Sequence, residues 1–298
     1  MTFRPTRFDD IIGQSEVINR LKISTHSFKN GEPSSMPHLL IDGPPGLGKT
    51  TLACAIANEL GVPILVANGA NLRSIKNIIP YLLGISTKSV LFIDEIHRLT
   101  KIVEEFLYPV MEDFTVNIST DGNLEKIDIP QFTLIGATTS GGSLSQPFYD
   151  RFQMKEHLSF YTVDELAKLA GSNSQRLGMA LENDELLEIA KRSKGTPRIL
   201  NARLQWYKSC SLYYKDKNMT IDEIFNSQGI DCIGLDIYDR MYMDILKKYR
   251  GTPLGLKSIS TLTGIAIETI ENSIEPYLVR SGFVLRTPKG RICSLDTP

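Results

Sequence analysis

The sequence predicts three structural units in succession: an α/β layer with a parallel sheet, a small all-helical unit, and a C-terminal winged helix. Three patterns support this prediction. Short apolar runs alternate with helical stretches from 37 to 152, such runs stop after 152, and the chain ends in helices followed by two short strands. Continuous apolar strands alternating with helices are typical of a parallel sheet covered on both faces. We predict unit boundaries at 1–158, 159–229 and 230–298.

Length and composition agree with several folded units. The chain has 298 residues, of which 42% are hydrophobic, and its net charge of −1 means that nucleic-acid contact requires a local basic patch. Its four cysteines are far apart and lack zinc-site spacing, which favours a reducing compartment. The amino terminus has no secretion-signal core, and no apolar run is long enough for a membrane span. We therefore expect a cytoplasmic protein without membrane association.

The first predicted strand, HLLIDG, leads into GPPGLGKT at 43–50, which fits the phosphate-binding pattern G-x-x-x-x-G-K-[ST] between a strand and a helix. Glycines let backbone N–H groups wrap phosphates, Lys49 can reach the β- and γ-phosphates, and the Thr50 hydroxyl can ligate Mg²⁺. The helix N-terminus adds its dipole. The loop therefore predicts an ATP and Mg²⁺ site with contacts from Gly43, Gly46, Gly48, Lys49, Thr50 and Thr51.

Two carboxylates follow another predicted strand, SVLFI. Asp94 ends the strand, where it can hold Mg²⁺ through water, and Glu95 is placed to polarise an attacking water. Alone, such a pair could equally be a solvated turn, but beside a P-loop it indicates hydrolysis. The strand FTLIGATT ends in Thr138 and Thr139, where a polar group would sit beside that water. By itself, a threonine pair at a strand end is more often structural.

The all-helical unit opens with capping boxes, Thr162 with Glu165 and Thr220 with Glu223. Arg198 lies at a helix start in this unit, where it could fold onto a γ-phosphate. Arg151 follows a loop on the far side of the first unit and is placed to enter a neighbouring subunit's site. The simpler alternative for either arginine is a surface salt bridge.

The last unit ends in FVLRTPKGRICSL, which predicts two strands joined by a tight Pro-Lys-Gly turn. A helix around 238–249 and two further helical segments precede this hairpin, which is the layout of a winged helix. The hairpin carries Arg286, Lys289 and Arg291. Positive charge on a protruding wing suits the phosphate backbone of duplex DNA, although charged hairpin turns are usually only solvated.

The segment FTVNISTDGNLEKIDI, within 114–130, predicts another hairpin around an Asp-Gly turn. Pairing around that turn places five apolar residues on one face. That face either packs on the sheet, which is our preferred interpretation, or docks a partner. The five residues are Phe114, Val116, Ile118, Ile127 and Ile129.

In combination, these motifs resemble the RuvB family, AAA+ P-loop NTPases that drive Holliday-junction branch migration. The similarity extends from FRPTRFDDIIGQ to EPYLVRSGFVLRTPKGR, and its most specific pieces are GPPGLGKTTLA, LFIDEIHRL, LYPVMEDF, FTLIGATT, GTPRI and RTPKGR. The resemblance implies an AAA+ core, an all-helical lid and a C-terminal winged helix. It also implies a hexameric, helicase-type ATPase that encircles duplex DNA at four-way junctions. The implied partners are a junction-binding protein of the RuvA type and a resolvase of the RuvC type.

Residue roles follow from the same resemblance. It implies that Phe3 and Arg4 lie near the adenine and that Tyr161 borders the nucleotide from the lid. Thr139 is then the first sensor, Arg198 the second, and Arg151 the finger given to the neighbouring subunit. Arg286 and Arg291 would contact DNA, in agreement with the charge argument.

Three features depart from the family pattern. Ser140 replaces an arginine, Gln153 replaces a glycine and should stiffen or redirect the chain after Arg151, and the hairpin within 114–130 is shorter with different side chains. In the family that hairpin docks RuvA, so partner docking is the property most affected. The main alternative function is an ATP-gated DNA-binding switch or loader without processive translocation. A protein-remodelling ATPase is disfavoured because NGANLRSIKNIIP has no aromatic residue beside its glycine.

Overall fold

The computed structural model describes residues 4–29, 36–120, 123–214 and 219–294, without the side chains of 117–120, 123 and 124. Phe3 lies outside the described residues. By its internal contacts the chain divides into two compact units, Met1–Tyr161 and Thr162–Pro298.

The first unit contains a five-stranded, all-parallel sheet and a separate antiparallel hairpin. Its strands are β1 Leu39–Asp42, β2 Ile64–Asn68, β3 Val90–Asp94, β4 Thr115–Thr120, β5 Asn123–Asp128, β6 Thr133–Thr138 and β7 Met154–His157. Its helices are α1 Ser15–Lys29, α2 Lys49–Leu60, α3 Ile75–Leu83, α4 Lys101–Glu112 and α5 Gln146–Asp150. The sheet order is β2-β3-β6-β1-β7, so β6 lies between β1 and β3. Because these strands are parallel, their carboxyl ends lie side by side at one edge.

Successive residues of the central strands enter two different apolar cores. Leu91 and Ile93 of β3 join the core beneath α3, α4 and α5, whereas Val90 and Phe92 join the core beneath α1 and α2. This alternation follows from the two-residue period of a strand. Since both faces are covered, the strands read as continuous apolar runs, and the predicted parallel sheet is confirmed.

The hairpin formed by β4 and β5 packs on the first unit through its base. Val116 pairs with Ile127, which is the register that the sequence predicts, and the Ile129 N–H donates to the Phe114 carbonyl over 2.8 Å. Val116 and Ile129 are buried, whereas Ile127 is 37% exposed. The turn residues 121 and 122 lie outside the described part of the chain.

The second unit is helical except for the terminal hairpin. Its helices are α6 Val163–Arg176, α7 Asn183–Lys191, α8 Pro197–Tyr213, α9 Ile221–Asn226, α10 Ile237–Lys248, α11 Leu256–Thr263, α12 Ile267–Thr269 and α13 Glu275–Arg280, with a π-helical turn Ile270–Ile274 before α13. Both predicted capping boxes form, at Thr162 and Thr220. The helices from α10 to α13 and the hairpin share one apolar core, which confirms the predicted winged helix.

The wing turn is tighter than the sequence predicts. The strands β8 Val284–Thr287 and β9 Gly290–Cys293 leave only two residues in the turn, and Gly290 already pairs with Thr287. Gly290 has a φ of 143° and lies against the backbone of Leu254, where an added Cβ would approach within 2.6 Å. Glycine is needed here for both reasons. Leu254 and Arg291 exchange backbone hydrogen bonds of 2.9 and 2.8 Å, so the loop before α11 lies alongside the wing.

The cysteines and the helix lengths add two further observations. Cys54, Cys210 and Cys232 are free thiols. Among the described residues, no helix combines the length and the apolar character needed to cross a membrane.

Candidate functional site

The P-loop connects the end of β1 to the start of α2. Gly43, Gly46 and Gly48 have φ values of 143°, 84° and 99°, in a region that residues with a Cβ avoid. The Lys49 ammonium donates to the Gly43 carbonyl over 2.6 Å and to the Pro44 carbonyl over 3.0 Å. The loop is thus a glycine-built concavity at a helix N-terminus with a lysine across it, which is the arrangement needed to bind phosphate.

The two predicted Mg²⁺ ligands meet beside this loop. Thr50 is the second residue of α2, Asp94 is the last of β3, and the Thr50 hydroxyl donates to Asp94 Oδ2 over 3.2 Å. A hydroxyl and a carboxylate at this separation provide hard oxygen ligands that suit Mg²⁺. Thr51 follows in the first turn of α2. The residues present therefore fit a magnesium nucleotide.

Glu95 is held in an unusual backbone conformation. Its φ of 51° and ψ of 46° are left-handed, although it is not a glycine. Gly69, just after β2, packs against it so closely that an added Cβ would lie 2.3 Å from the Glu95 carbonyl oxygen. The Glu95 side chain is 33% exposed and accepts a hydrogen bond of 3.3 Å from Thr139. Gly69 was not among the predicted site residues, and its only signal is the Asn-Gly pair that ends the strand.

The two threonines that end β6 have different environments. Thr138 is fully buried, lies 2.9 Å from the His97 Nδ1 and accepts the Ser140 N–H over 2.9 Å. Thr139 instead directs its hydroxyl to Glu95. Thr138 therefore holds the backbone at the strand end, whereas Thr139 lies where a water beside Glu95 would be contacted.

The amino-terminal segment is joined to the chain that follows β7. The Gln14 Nε2 donates to the Ser159 carbonyl over 2.6 Å, and the Ser159 N–H donates back to Gln14 Oε1 over 3.2 Å. Ile11 and Tyr161 pack on the same apolar core as Leu47 of the P-loop. Arg4 is exposed. The segments around Ile11 and Tyr161 therefore share an apolar core with the P-loop.

Arg151 is held by its own subunit. Its guanidinium lies 4.0 Å from the Tyr108 ring centroid, 3.2 Å from Glu112 and 2.6 Å from the Pro147 carbonyl. It precedes β7, near the amino ends of the strands, whereas the P-loop lies at their carboxyl ends. Tyr108 and Glu112 were missed from sequence; their spacing of four residues on α4 places them on one helix face.

Arg198 has the opposite environment. It is the second residue of α8, where Thr196 is the N-cap and Pro197 the first helical residue, as predicted. Its side chain is exposed and makes no hydrogen bond or ion pair with any described residue. The Arg198 guanidinium is thus available to an external anion.

The two wing arginines converge on a buried carboxylate. Glu275, the first residue of α13, is fully buried and lies 2.6 Å from the Arg286 Nη2 and 2.9 Å from the Arg291 Nε. The Tyr242 hydroxyl also donates to it over 2.8 Å, and burial beside this charge raises the pKa of Tyr242. Arg286 is 49% exposed and Arg291 only 18%. Lys289, at the turn, is exposed and has no polar partner within the described ranges.

Three family models match the chain in succession. They are the P-loop domain of Holliday junction DNA helicase RuvB at residues 3–158, the RuvB AAA lid domain at 161–236 and the RuvB C-terminal winged helix domain at 232–297. Each model coincides with one of the architectures described above.

Similar full-length proteins carry the same family name. The chain is 40% identical to a Rhodopirellula baltica protein over 99% of its own length and 82% of the relative's. It is 41% identical to a Myxococcus xanthus protein over 99% and 88%. Both relatives are named Holliday junction branch migration complex subunit RuvB. A solved structure of the Thermotoga maritima RuvB Holliday junction branch migration motor is 38% identical, with a TM-score of 0.87 over 98% of this chain and 96% of that one.

Proposed function

The chain belongs to the RuvB family of AAA+ P-loop ATPases, and from this premise we propose that it is an ATP-driven duplex-DNA translocase. It promotes branch migration at Holliday junctions and works as a hexameric ring. One observation carries the proposal: the P-loop, Asp94, Glu95 and Thr139 meet at one sheet edge in a chain that matches RuvB proteins over nearly its whole length. We retain 1–158, 159–229 and 230–298 as the proposed ATPase, lid and winged-helix domains.

The proposed chemistry is hydrolysis of the γ-phosphate bond. The P-loop N–H groups and Lys49 bind the phosphates. Thr50 and Asp94 would hold Mg²⁺, which would supply positive charge to the phosphate oxygens. Glu95 polarises the attacking water. The Thr139 hydroxyl, which already contacts Glu95, keeps the carboxylate and the water in position relative to each other.

The proposed role of Arg151 requires a ring. Arg151 lies at the opposite end of the strands from its own P-loop, so it serves the site of the neighbouring subunit. An arginine finger given across an interface is worth about 10³–10⁵ in turnover. Arg198 binds the γ-phosphate from the lid, and Phe3, Arg4 and Tyr161 border the adenine.

The proposed track is the DNA phosphate backbone. Lys289 and Arg286 are the exposed cations of the wing, and Arg291 supports them from the side of Glu275. Phosphate contacts of this kind bind DNA without recognising its base sequence.

The proposed protein partners contact other parts of the molecule. A RuvA-type protein docks on the hairpin within 114–130, where Ile127 is exposed, and a RuvC-type resolvase associates with the complex. We place the protein in the cytoplasm, in keeping with its free thiols.

ATP-dependent dissociation of a synthetic four-way junction tests the proposal. We expect the wild-type protein to dissociate the junction, and Glu95→Gln to bind ATP but to lose at least about 100-fold in turnover and all junction movement. The matched control is Glu105→Gln, an exposed carboxylate on α4, which should behave as wild type. Adding a RuvA-type protein reports separately on the hairpin: faster dissociation shows that it docks.

The alternative function predicts a different result. An ATP-gated switch or loader would hydrolyse ATP and bind DNA strongly, yet would not move the junction with or without the added protein. Unchanged hydrolysis in Glu95→Gln would instead remove water activation from that residue.

A further inference from the structure

The turn that precedes Arg198 is anchored to the lid helices on one side. Arg192 is fully buried and pairs with Glu188 of α7 and Asp222 of α9. The Ser193 hydroxyl donates to the Ile189 carbonyl over 2.6 Å. These bonds hold the beginning of the turn against α7 and α9.

The same turn is anchored to the winged helix on the other side. The Lys194 ammonium is buried and pairs with Asp239 of α10, and it donates to Asp236 Oδ2 over 3.2 Å. Asp236 is the N-cap of α10 and accepts hydrogen bonds from the N–H groups of its first turn. Lys194 therefore fastens the turn to the first helix of the winged-helix domain.

Arg280 provides a second attachment. It is the last residue of α13, and its Nη2 donates to the Lys194 carbonyl over 3.0 Å. Lys194 and Gly195 have φ values of 48° and 73°, and an added Cβ on Gly195 would lie 2.6 Å from the Arg280 guanidinium. A glycine at this position satisfies the left-handed backbone and makes room for Arg280. Thr196 and Pro197 then begin α8, and Arg198 follows directly.

The other end of α13 contacts the wing. This helix of 6 residues begins at Glu275, which binds Arg286 and Arg291, and ends at Arg280, which binds the turn. Side-chain bonds at the two ends of one short helix thus connect the wing hairpin to Lys194, three residues before Pro197. A contiguous set of bonds of this kind can transmit energetic coupling between two sites. Only a measurement of the coupling demonstrates it.

We propose that Arg280 and Lys194 are positioning residues, which set the placement of Arg198 according to the position of the winged helix and so couple DNA contact to ATP turnover. The inference rests on the proposed function, in which Arg198 binds the γ-phosphate and the wing binds DNA. Neither Arg280 nor Lys194 contacts ATP or DNA in this proposal. Linkage requires the coupling to be reciprocal for binding: DNA changes the affinity for ATP by the factor by which ATP changes the affinity for DNA.

The test compares ATP turnover with and without saturating duplex DNA in the full-length protein. Arg280→Met keeps an aliphatic side chain of similar length but removes the hydrogen bond to the Lys194 carbonyl. We expect basal turnover and duplex affinity to stay at the wild-type level, while the ratio of stimulated to basal turnover falls about fivefold, the lower end of usual coupling factors. Arg280→Lys restores a donor and should recover part of the ratio. Arg176→Met, at an exposed arginine of α6, is the matched control.

A second variant keeps the test decisive if Arg280→Met does not fold. Lys194→Met combined with Asp239→Asn removes the buried pair. The other partner of Lys194, Asp236, has a side chain that is 40% exposed and keeps its hydrogen bonds from the N–H groups of α10. If thermal unfolding shows that Arg280→Met is unfolded, the double variant decides. A variant that keeps the wild-type stimulation ratio overturns the inference but leaves the proposed function standing. Wild-type turnover that does not respond to DNA likewise overturns the inference alone, whereas wild-type protein that hydrolyses no ATP overturns the proposed function and the inference with it.

Discussion

The carboxyl edge of the parallel sheet and the C-terminal wing both gather charged residues, but their carboxylates have different partners. At the sheet edge, Asp94 and Glu95 bond to the hydroxyls of Thr50 and Thr139, and Glu95 is 33% exposed. In the wing, Glu275 is completely buried and binds two guanidinium groups and a tyrosine hydroxyl. The first carboxylates keep lone pairs for a cation or a water, whereas Glu275 has its charge neutralised within the domain.

This difference separates functional charge from structural charge. A carboxylate whose partners are hydroxyls and a histidine ring, rather than arginines, remains available for chemistry, and removing it changes activity more than stability. A buried carboxylate that pairs with two cations stabilises the fold by neutralising their charge, so its removal leaves those cations without a buried counter-charge. Arg291 therefore belongs to the winged-helix core at least as much as to its surface.

The largest effect that tests this distinction is on stability. Glu275→Gln removes the buried counter-charge of Arg291 and leaves this mostly buried arginine only the exposed Glu271, so we expect the free energy of unfolding of the second unit to fall by about 3–5 kcal/mol. Chemical denaturation measures it. Glu271→Gln, an exposed carboxylate 4.0 Å from the same arginine, is the control and should change stability by less than about 1 kcal/mol. Equal effects from the two variants would show that Glu275 is not the structural group.

At the sheet edge we expect the reverse pattern. Thr139→Val removes the hydroxyl beside Glu95 and should lower ATP turnover about 100-fold, about 2.7 kcal/mol of barrier, with little change in stability. Thr138→Val is the neighbouring control: it removes the buried hydroxyl that accepts the Ser140 N–H and should lower stability by about 1 kcal/mol, the usual net contribution of one hydrogen bond. Wild-type turnover in Thr139→Val would contradict the assignment of that hydroxyl to the reacting water.

The smallest effect concerns the exposed tip of the wing. Lys289→Met removes a cation that has no polar partner in the described part of the chain, so duplex affinity should fall severalfold without loss of stability. The slope of log affinity against log salt should decrease by about one. Lys168→Met, at an exposed lysine of α6, controls for general charge. An unchanged slope would remove Lys289 from the DNA contact and shift attention to Arg286.

The parts of the fold that the sequence predicts correctly are those with local determinants. The P-loop glycines, the capping boxes at Thr162 and Thr220, and the register of β4 with β5 each depend on neighbouring residues. The parallel sheet is predictable because two buried faces require continuous apolar strands. Partners distant in sequence are not predictable in this way: Glu112 for Arg151 and Glu275 for Arg286 come from other elements.

Gln153 and His38 show the same limit. The sequence suggests only that Gln153 should stiffen the chain after Arg151, and the structure gives the reason: its Oε1 accepts the His38 N–H over 2.8 Å. The His38 ring in turn accepts the Leu134 N–H at Nδ1 and contacts the Met111 carbonyl through Nε2, both over 2.9 Å. Burial lowers the pKa of His38, so the imidazole is neutral at pH 7. No sequence pattern around a single histidine in an apolar segment predicts these hydrogen bonds.

The strand order of the first unit also constrains how the protein is made. The strand β1, which carries the P-loop, pairs only with β6 and β7, and its first residue, Leu39, lies beside Ile135 and Met154. In a chain emerging from the ribosome, β1 therefore has no strand partner until β6, which begins 91 residues after β1 ends, has been synthesised. The nucleotide site cannot assemble progressively with synthesis, and the apolar strand needs protection during that interval. The pairing of β1 with β6 and β7 is thus completed only after most of the first unit has been synthesised.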